Sequence, residues 1–108
     1  MLDSYIPPFA ADVDLAGATA VITLFGELDL TVRSALREQL AQVAEKKPDV
    51  LVIDLAAVTF LDCGTAAMLI QTSRLLVSGR KPVLRSVRPQ VRRLLELTGL
   101  DSQCELAG

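Results

Sequence analysis

Val50-Leu51-Val52-Ile53-Asp54-Leu55 is an unbroken apolar run of strand length, and Val58-Thr59-Phe60-Leu61 follows it into Asp62-Cys63-Gly64-Thr65. Continuous apolar runs rich in β-branched residues belong to parallel or central strands, so burial on both faces is expected here. Ala66 to Val77 is apolar over most of a helical circumference, which predicts a well-buried helix. Gly79 is placed to cap it and Lys81-Pro82 to stop it.

Upstream of this stretch the period is helical from Thr31 onward. Val32, Ala35, Leu36, Leu40, Val43 and Ala44 share one stripe, while Arg33, Arg37, Glu38 and Glu45 face away. Thr31 is positioned to cap the start; Lys46-Lys47 and Pro48 close the end. Earlier still, Phe9–Leu15 alternates as an edge strand, Ala16-Gly17 suits a tight turn, and Ala18–Phe25 is β-rich with Gly26 as its stop. Downstream, Val83–Val87 reads as a short strand. Pro89 suits the first position of a final helix whose inner face is Val91, Leu94, Leu95 and Thr98, with Gly99 as its cap. Gln103–Leu106 could add a short C-terminal strand. The order β-β-α-β-α-β-α describes an α/β fold: one small mixed sheet with helices packed against it. Residues 1–8, ending in Pro7-Pro8, read as a flexible lead-in, and residues 9–108 as a single domain.

With 108 residues and a 51% hydrophobic fraction drawn mostly from aliphatic side chains, the chain has enough apolar surface for one core. No apolar run reaches the roughly 18–20 residues of a membrane span, and the N-terminus lacks a signal-peptide pattern, so a cytoplasmic location is expected. The net charge of −2 divides into −6 over residues 1–62 (ten acids, four bases) and +4 over residues 63–108 (seven bases, three acids). Arg88, Arg92 and Arg93 have no interleaved aromatics and fall on the polar face of one helix, which argues for solvation and against direct nucleic-acid binding.

Enzyme chemistry finds little support. The chain has no His, so it lacks the commonest general base and metal ligand, and it has neither a dinucleotide fingerprint nor a Walker A loop. Cys63 and Cys104 form neither a disulfide framework nor a metal-ligand spacing. A non-enzyme with no metal and no cofactor is expected. One local feature carries chemistry: Asp62-Cys63-Gly64-Thr65 delivers a strand to a helix N-terminus, where free N–H groups and the macrodipole favour negative charge. The alternative reading makes Asp62 a simple N-cap and Cys63 a small apolar filler.

The sequence resembles STAS domains, the fold of bacterial anti-sigma factor antagonists. Gly26-Glu27-Leu28-Asp29 is similar to the family's Gly-Glu-[Leu/Ile]-Asp, and Val58-Thr59-Phe60-Leu61-Asp62 to the approach to its Asp-Ser-[Ser/Thr]-Gly switch. Arg88 to Leu100 resembles the family's final helix, x-Pro-x-Val-x-Arg-Leu-Leu-x-x-[Ser/Thr]-Gly-Leu. The resemblance implies a protein–protein interaction module that docks on an anti-sigma factor of serine-kinase type and so regulates sigma-factor-dependent transcription. It implies that Asp62, Cys63, Gly64 and Thr65 form the switch loop and that Glu27, Asp29, Thr31 and Asp62 contact the partner; a monomer or weak homodimer is expected. The alternative for Asp29 and Thr31 is that they only cap the first helix.

The chain departs from the family at the switch itself. Cys63 stands where the phosphorylated serine is found, Gly64 where Ser or Thr follows, and Thr65 where Gly does. In the family a phosphoryl group adds roughly two negative charges at the docking surface and drives release. Here three forms of control are open: docking without phosphoserine, thiol chemistry at Cys63 with Cys104 as a conceivable partner, or phosphorylation of Thr65. A non-catalytic scaffold subunit of a signalling assembly, redox-controlled through Cys63, is the competing function.

Overall fold

The computed structural model describes residues 9–76 and 80–107. The expected lead-in at residues 1–8, the Val77 end and Gly79 cap of the second helix, and Gly108 lie outside the described residues.

The chain opens with an antiparallel hairpin of β1 (Phe9–Ala16) and β2 (Thr19–Leu28). Gly17 supplies the positive φ of +63° that a type II′ turn asks of its first loop residue. Gly26 does not end β2 as expected. It takes φ +81° and the strand runs on to Leu28, where a side chain would have resisted that backbone. The partner strand accommodates this: β3 (Val50–Leu61) holds one extra residue between the pairs Thr23–Asp54 and Phe25–Ala57, and another between Gly26–Val58 and Glu27–Phe60. These bulges re-aim the ends of both strands at the place where the Asp62–Thr65 turn begins.

A single 3₁₀ turn, Leu30–Val32, precedes α1 (Arg33–Glu45). Its cap is Asp29, whose carboxylate accepts the Thr31 amide; Thr31 is not the cap that its position suggested. Leu36, Leu40 and Val43 are buried as the helical stripe requires, although Ala35 lies exposed. After β3 come α2 (Cys63–Leu76), β4 (Val83–Arg85), α3 (Pro89–Thr98) and β5 (Glu105–Ala107). β4 stops two residues before the expected Val87 because Ser86 turns to φ +60°. Pro89 and a left-handed Gly99 (φ +77°) bound α3 as the sequence predicted.

Among the described residues the sheet has five strands in the order β1-β2-β3-β4-β5, parallel from β2 onward. Strand order follows chain order, and α1, α2 and α3 pack together on one face of the sheet, as the usual right-handed crossover leads one to expect. This corrects the expectation that the Val50–Leu55 run is buried on both sides. Leu51, Ile53 and Leu55 point into the core, whereas Val50, Val52 and Asp54 are only half-buried on the open face. For the same reason α2 is not enclosed all round: Thr65, Ala66, Leu69, Ile70 and Ser73 are buried, but Leu75 is 85% exposed. The core joins Ile22, Leu24, Ile53 and Leu55 of the sheet to Leu36, Leu40, Leu69, Ile70 and Leu95 of the helices.

Candidate functional site

The end of the β2–β3 ladder builds the site. Leu28 pairs with Leu61, both side chains are buried, and the Asp62 amide donates to the Leu28 carbonyl at 3.2 Å. This extra rung brings Asp62 beside the Glu27–Thr31 corner. The Asp62 carbonyl accepts the first helical bond of α2 from the Ala66 amide (2.9 Å), and its Oδ1 accepts the Thr65 amide (2.7 Å). Asp62 is thus a true N-cap, satisfying a donor that the helix itself cannot.

A third element closes on the turn. Arg33, in the first turn of α1, donates from Nε to the Thr65 hydroxyl (2.8 Å) and from Nη2 to Asp62 Oδ1 (3.2 Å). Thr65 is fully buried, Asp62 and Arg33 are part-buried, and Cys63 and Gly64 are exposed. Burial on its own would push the Asp62 carboxyl up. The Thr65 hydroxyl and amide, joined by the Arg33 guanidinium, outweigh burial and hold it below the ordinary 3.8. The carboxylate therefore stays ionised and neutralised inside the turn, leaving Cys63 as the outward-facing side chain. Both cysteines are free thiols. Cys104 is buried, its Sγ 3.6 Å from the Leu100 carbonyl, and burial followed by nearby Asp101 pushes its pKa up.

Residues 11–107 match the family model described as "Mlab, STAS domain". The chain belongs to the STAS family. It is 36% identical over 87 residues to the anti-sigma-F factor antagonist RsfB of Mycobacterium tuberculosis, covering 81% of this chain and 71% of that relative. An anti-sigma factor antagonist from Mycobacterium paratuberculosis superposes with a TM-score of 0.80 at 31% identity, over 91% of this chain and 84% of that one. The anti-sigma factor antagonist SpoIIAA in its unphosphorylated form shares the fold, with a TM-score of 0.73 at 22% identity over 92% and 89% of the two chains.

In this STAS domain the expected switch residues Asp62, Cys63, Gly64 and Thr65 form one continuous turn, and Thr65 belongs to its interior. Of the corner residues, Asp29 and Thr31 bond to each other, the Thr31 hydroxyl and amide both donating to Asp29 Oδ1. Glu27 is exposed and pairs in register with Phe60, itself 52% exposed. Leu30, 69% exposed, adds a second apolar side chain to this corner. Among the described residues no cluster of three His, Cys, Asp or Glu could hold a metal ion, and no helix is long and apolar enough to cross a membrane.

Arg33 is the residue that sequence reasoning missed, having assigned it to the outer face of α1. A usable signal was present. A cation in the first turn of a helix opposes the macrodipole, so an Arg there calls for an anion from elsewhere in the fold.

Proposed function

We propose that this STAS domain acts as an anti-sigma factor antagonist that docks on an anti-sigma factor of serine-kinase type and regulates sigma-factor-dependent transcription, without a phosphoserine switch. The docking surface comprises Asp62, Cys63 and Gly64 together with Glu27, Asp29 and Thr31, edged by exposed Leu30 and Phe60. It acts in the cytoplasm as a monomer or weak homodimer and performs no catalysis. One observation carries the reading. The exposed position after Asp62 bears a thiol, while the turn's one hydroxyl, on Thr65, is fully buried and accepts a hydrogen bond from Arg33. A kinase that transfers phosphate to a hydroxyl meets none exposed within this turn. Apolar side chains ringed by acids suit a docking patch, because burial supplies affinity and the charges select the partner.

The test is a binding titration against candidate anti-sigma factors with ATP present, followed by mass spectrometry of the turn. The wild-type chain is expected to bind and to gain no phosphoryl group. Cys63→Ser, which restores an exposed hydroxyl, is expected to become phosphorylated and to release. Phosphate on wild-type Thr65, absent in Thr65→Ala, would contradict the proposal. Recovery of a large homo-assembly in place of a one-to-one complex would favour a scaffold subunit instead. Control through a Cys63–Cys104 link would first require Cys104 to leave its buried site.

A further inference from the structure

The order of Gly64 and Thr65 is reversed from the family pattern that the sequence otherwise resembles, and the geometry gives this reversal a reason. Gly64 carries no positive φ, so its backbone does not demand glycine. Its surroundings do. A Cβ built at Gly64 would collide with Arg33 Nη2, and it would lie 2.9 Å from Cζ and 3.1 Å from Nη1. The guanidinium occupies the place that a side chain at residue 64 would take. Thr65, one residue later, supplies the buried hydroxyl that Arg33 Nε needs, 2.8 Å away. Glycine makes the room and threonine the anchor. Asp62, accepting Nη2 at 3.2 Å, completes the seat.

We propose that Arg33 is the positioning residue of the docking turn, and that Gly64 and Thr65 stand in this order to seat its guanidinium over the start of α2. The proposal rests on the docking reading above for its functional meaning, though not for its geometry. Arg33 ties α1 to the N-cap of α2 and holds Asp62 and Thr65 in one arrangement, presenting Cys63 outward. The arrangement depends on a planar fork with several donors, which Lys does not offer. It also depends on a gap at residue 64 that any side chain would close.

Two substitutions at different residues should therefore produce one effect. Arg33→Gln removes the clamp directly. Gly64→Ala leaves Arg33 in the chain but displaces it, because the clash falls on the far end of a flexible side chain. Alanine is also the better helix former, which offsets the loss of the displaced clamp, so global stability should change little. The experiment is amide hydrogen exchange at Thr65, read by NMR in the wild type, the two single variants and the double variant. The Thr65 amide donates to Asp62 Oδ1, the atom that Arg33 also holds. Both single variants should exchange on the order of tenfold faster at this amide, with the melting temperature of Gly64→Ala unchanged. The double variant should be no faster than Arg33→Gln. An amide in Gly64→Ala that exchanges like wild type, or effects that multiply in the double variant, would overturn the proposal. Gly64→Ala decides the matter even where Arg33→Gln weakens the fold.

A second arm titrates the same four proteins against the anti-sigma-F factor that the mycobacterial relative is named for opposing. Loss of affinity in Arg33→Gln, a residue outside the docking surface, matched in Gly64→Ala and not deepened in the double variant, supports positioning, and full affinity despite a loosened turn contradicts it. Failure of the wild type to bind would count against the docking reading, while the exchange arm would still judge the clamp.

Discussion

Strand β3 carries two aspartates that each meet an arginine, one along the strand and one at its exit, and the pairs behave differently. Asp54 lies on the open sheet face, where Arg85 of the neighbouring β4 donates from Nε and Nη2 to its Oδ2 (3.1 and 2.9 Å). Its other oxygen accepts the Ala56 amide at 2.9 Å. That pair spans adjacent strands and pins the register of a three-residue strand. Asp62 and Arg33 sit slightly farther apart, at 3.2 Å, yet join three groups across two helices: the N-cap of α2, the first turn of α1 and the buried Thr65. Distance is a poor guide to importance here. What separates the pairs is how many groups would be left without a partner if one member were removed.

The largest effect is expected from Asp62→Ala. It removes an N-cap, leaves the Arg33 guanidinium without its anion and strips the Asp62–Thr65 turn of its charge. Chemical denaturation should show a loss of about 2 kcal/mol, and affinity for an anti-sigma factor should fall on the order of tenfold or more. Asp62→Asn, which keeps the cap but not the charge, should retain most of the stability and little of the affinity. Next comes Thr65→Val, isosteric but without the hydroxyl. A part-buried Arg33 Nε would lose its acceptor, at a cost of about 1–2 kcal/mol by the same denaturation measurement. Arg85→Ala should cost only about 0.5 kcal/mol, as is usual for an exposed pair, and should leave binding unchanged. A large effect of Arg85→Ala on binding would break the distinction between the two pairs.

Acid sensitivity sharpens the comparison further, with the smallest expected effects. The Asp54 carboxyl is held below its ordinary 3.8 chiefly by the Ala56 amide, against burial, with Arg85 assisting; Asp62 is likewise held low. A depressed folded value stabilises the fold fully above the unfolded value near 3.8, and this contribution is lost as pH falls through the lower folded value. Arg33→Gln should therefore move the Asp62 titration upward without moving that of Asp54, and Arg85→Ala should do the reverse. NMR titration of the two carboxyls checks both.

The distinction also marks where the sequence was readable. Pro89 and Gly99 bounded α3, and the 3.6-residue period placed Leu36, Leu40 and Val43 inward, because those signals are local. Burial of the Val50–Leu55 run on one face only was not legible. An apolar strand reads alike whether one or both faces are covered, and coverage follows from strand order across the whole sheet. Gly26 reads as a strand stop until its positive φ is seen to carry β2 onward. Asp62 was recognised from its place before a helix. Arg33 was not, because its partners lie 29 and 32 residues away and a 3₁₀ turn just before α1 resets the helical frame from which its facing was judged.

The central claim is that the turn docks without a phosphorylatable surface hydroxyl. The most direct measurement is intact-mass spectrometry of the wild-type chain after incubation with its anti-sigma factor and ATP, alongside a titration of the complex. A stable complex with an unmodified chain is the predicted result, with Cys63→Ser alone gaining phosphate. Stoichiometric phosphorylation of the wild-type turn with loss of the complex would contradict it.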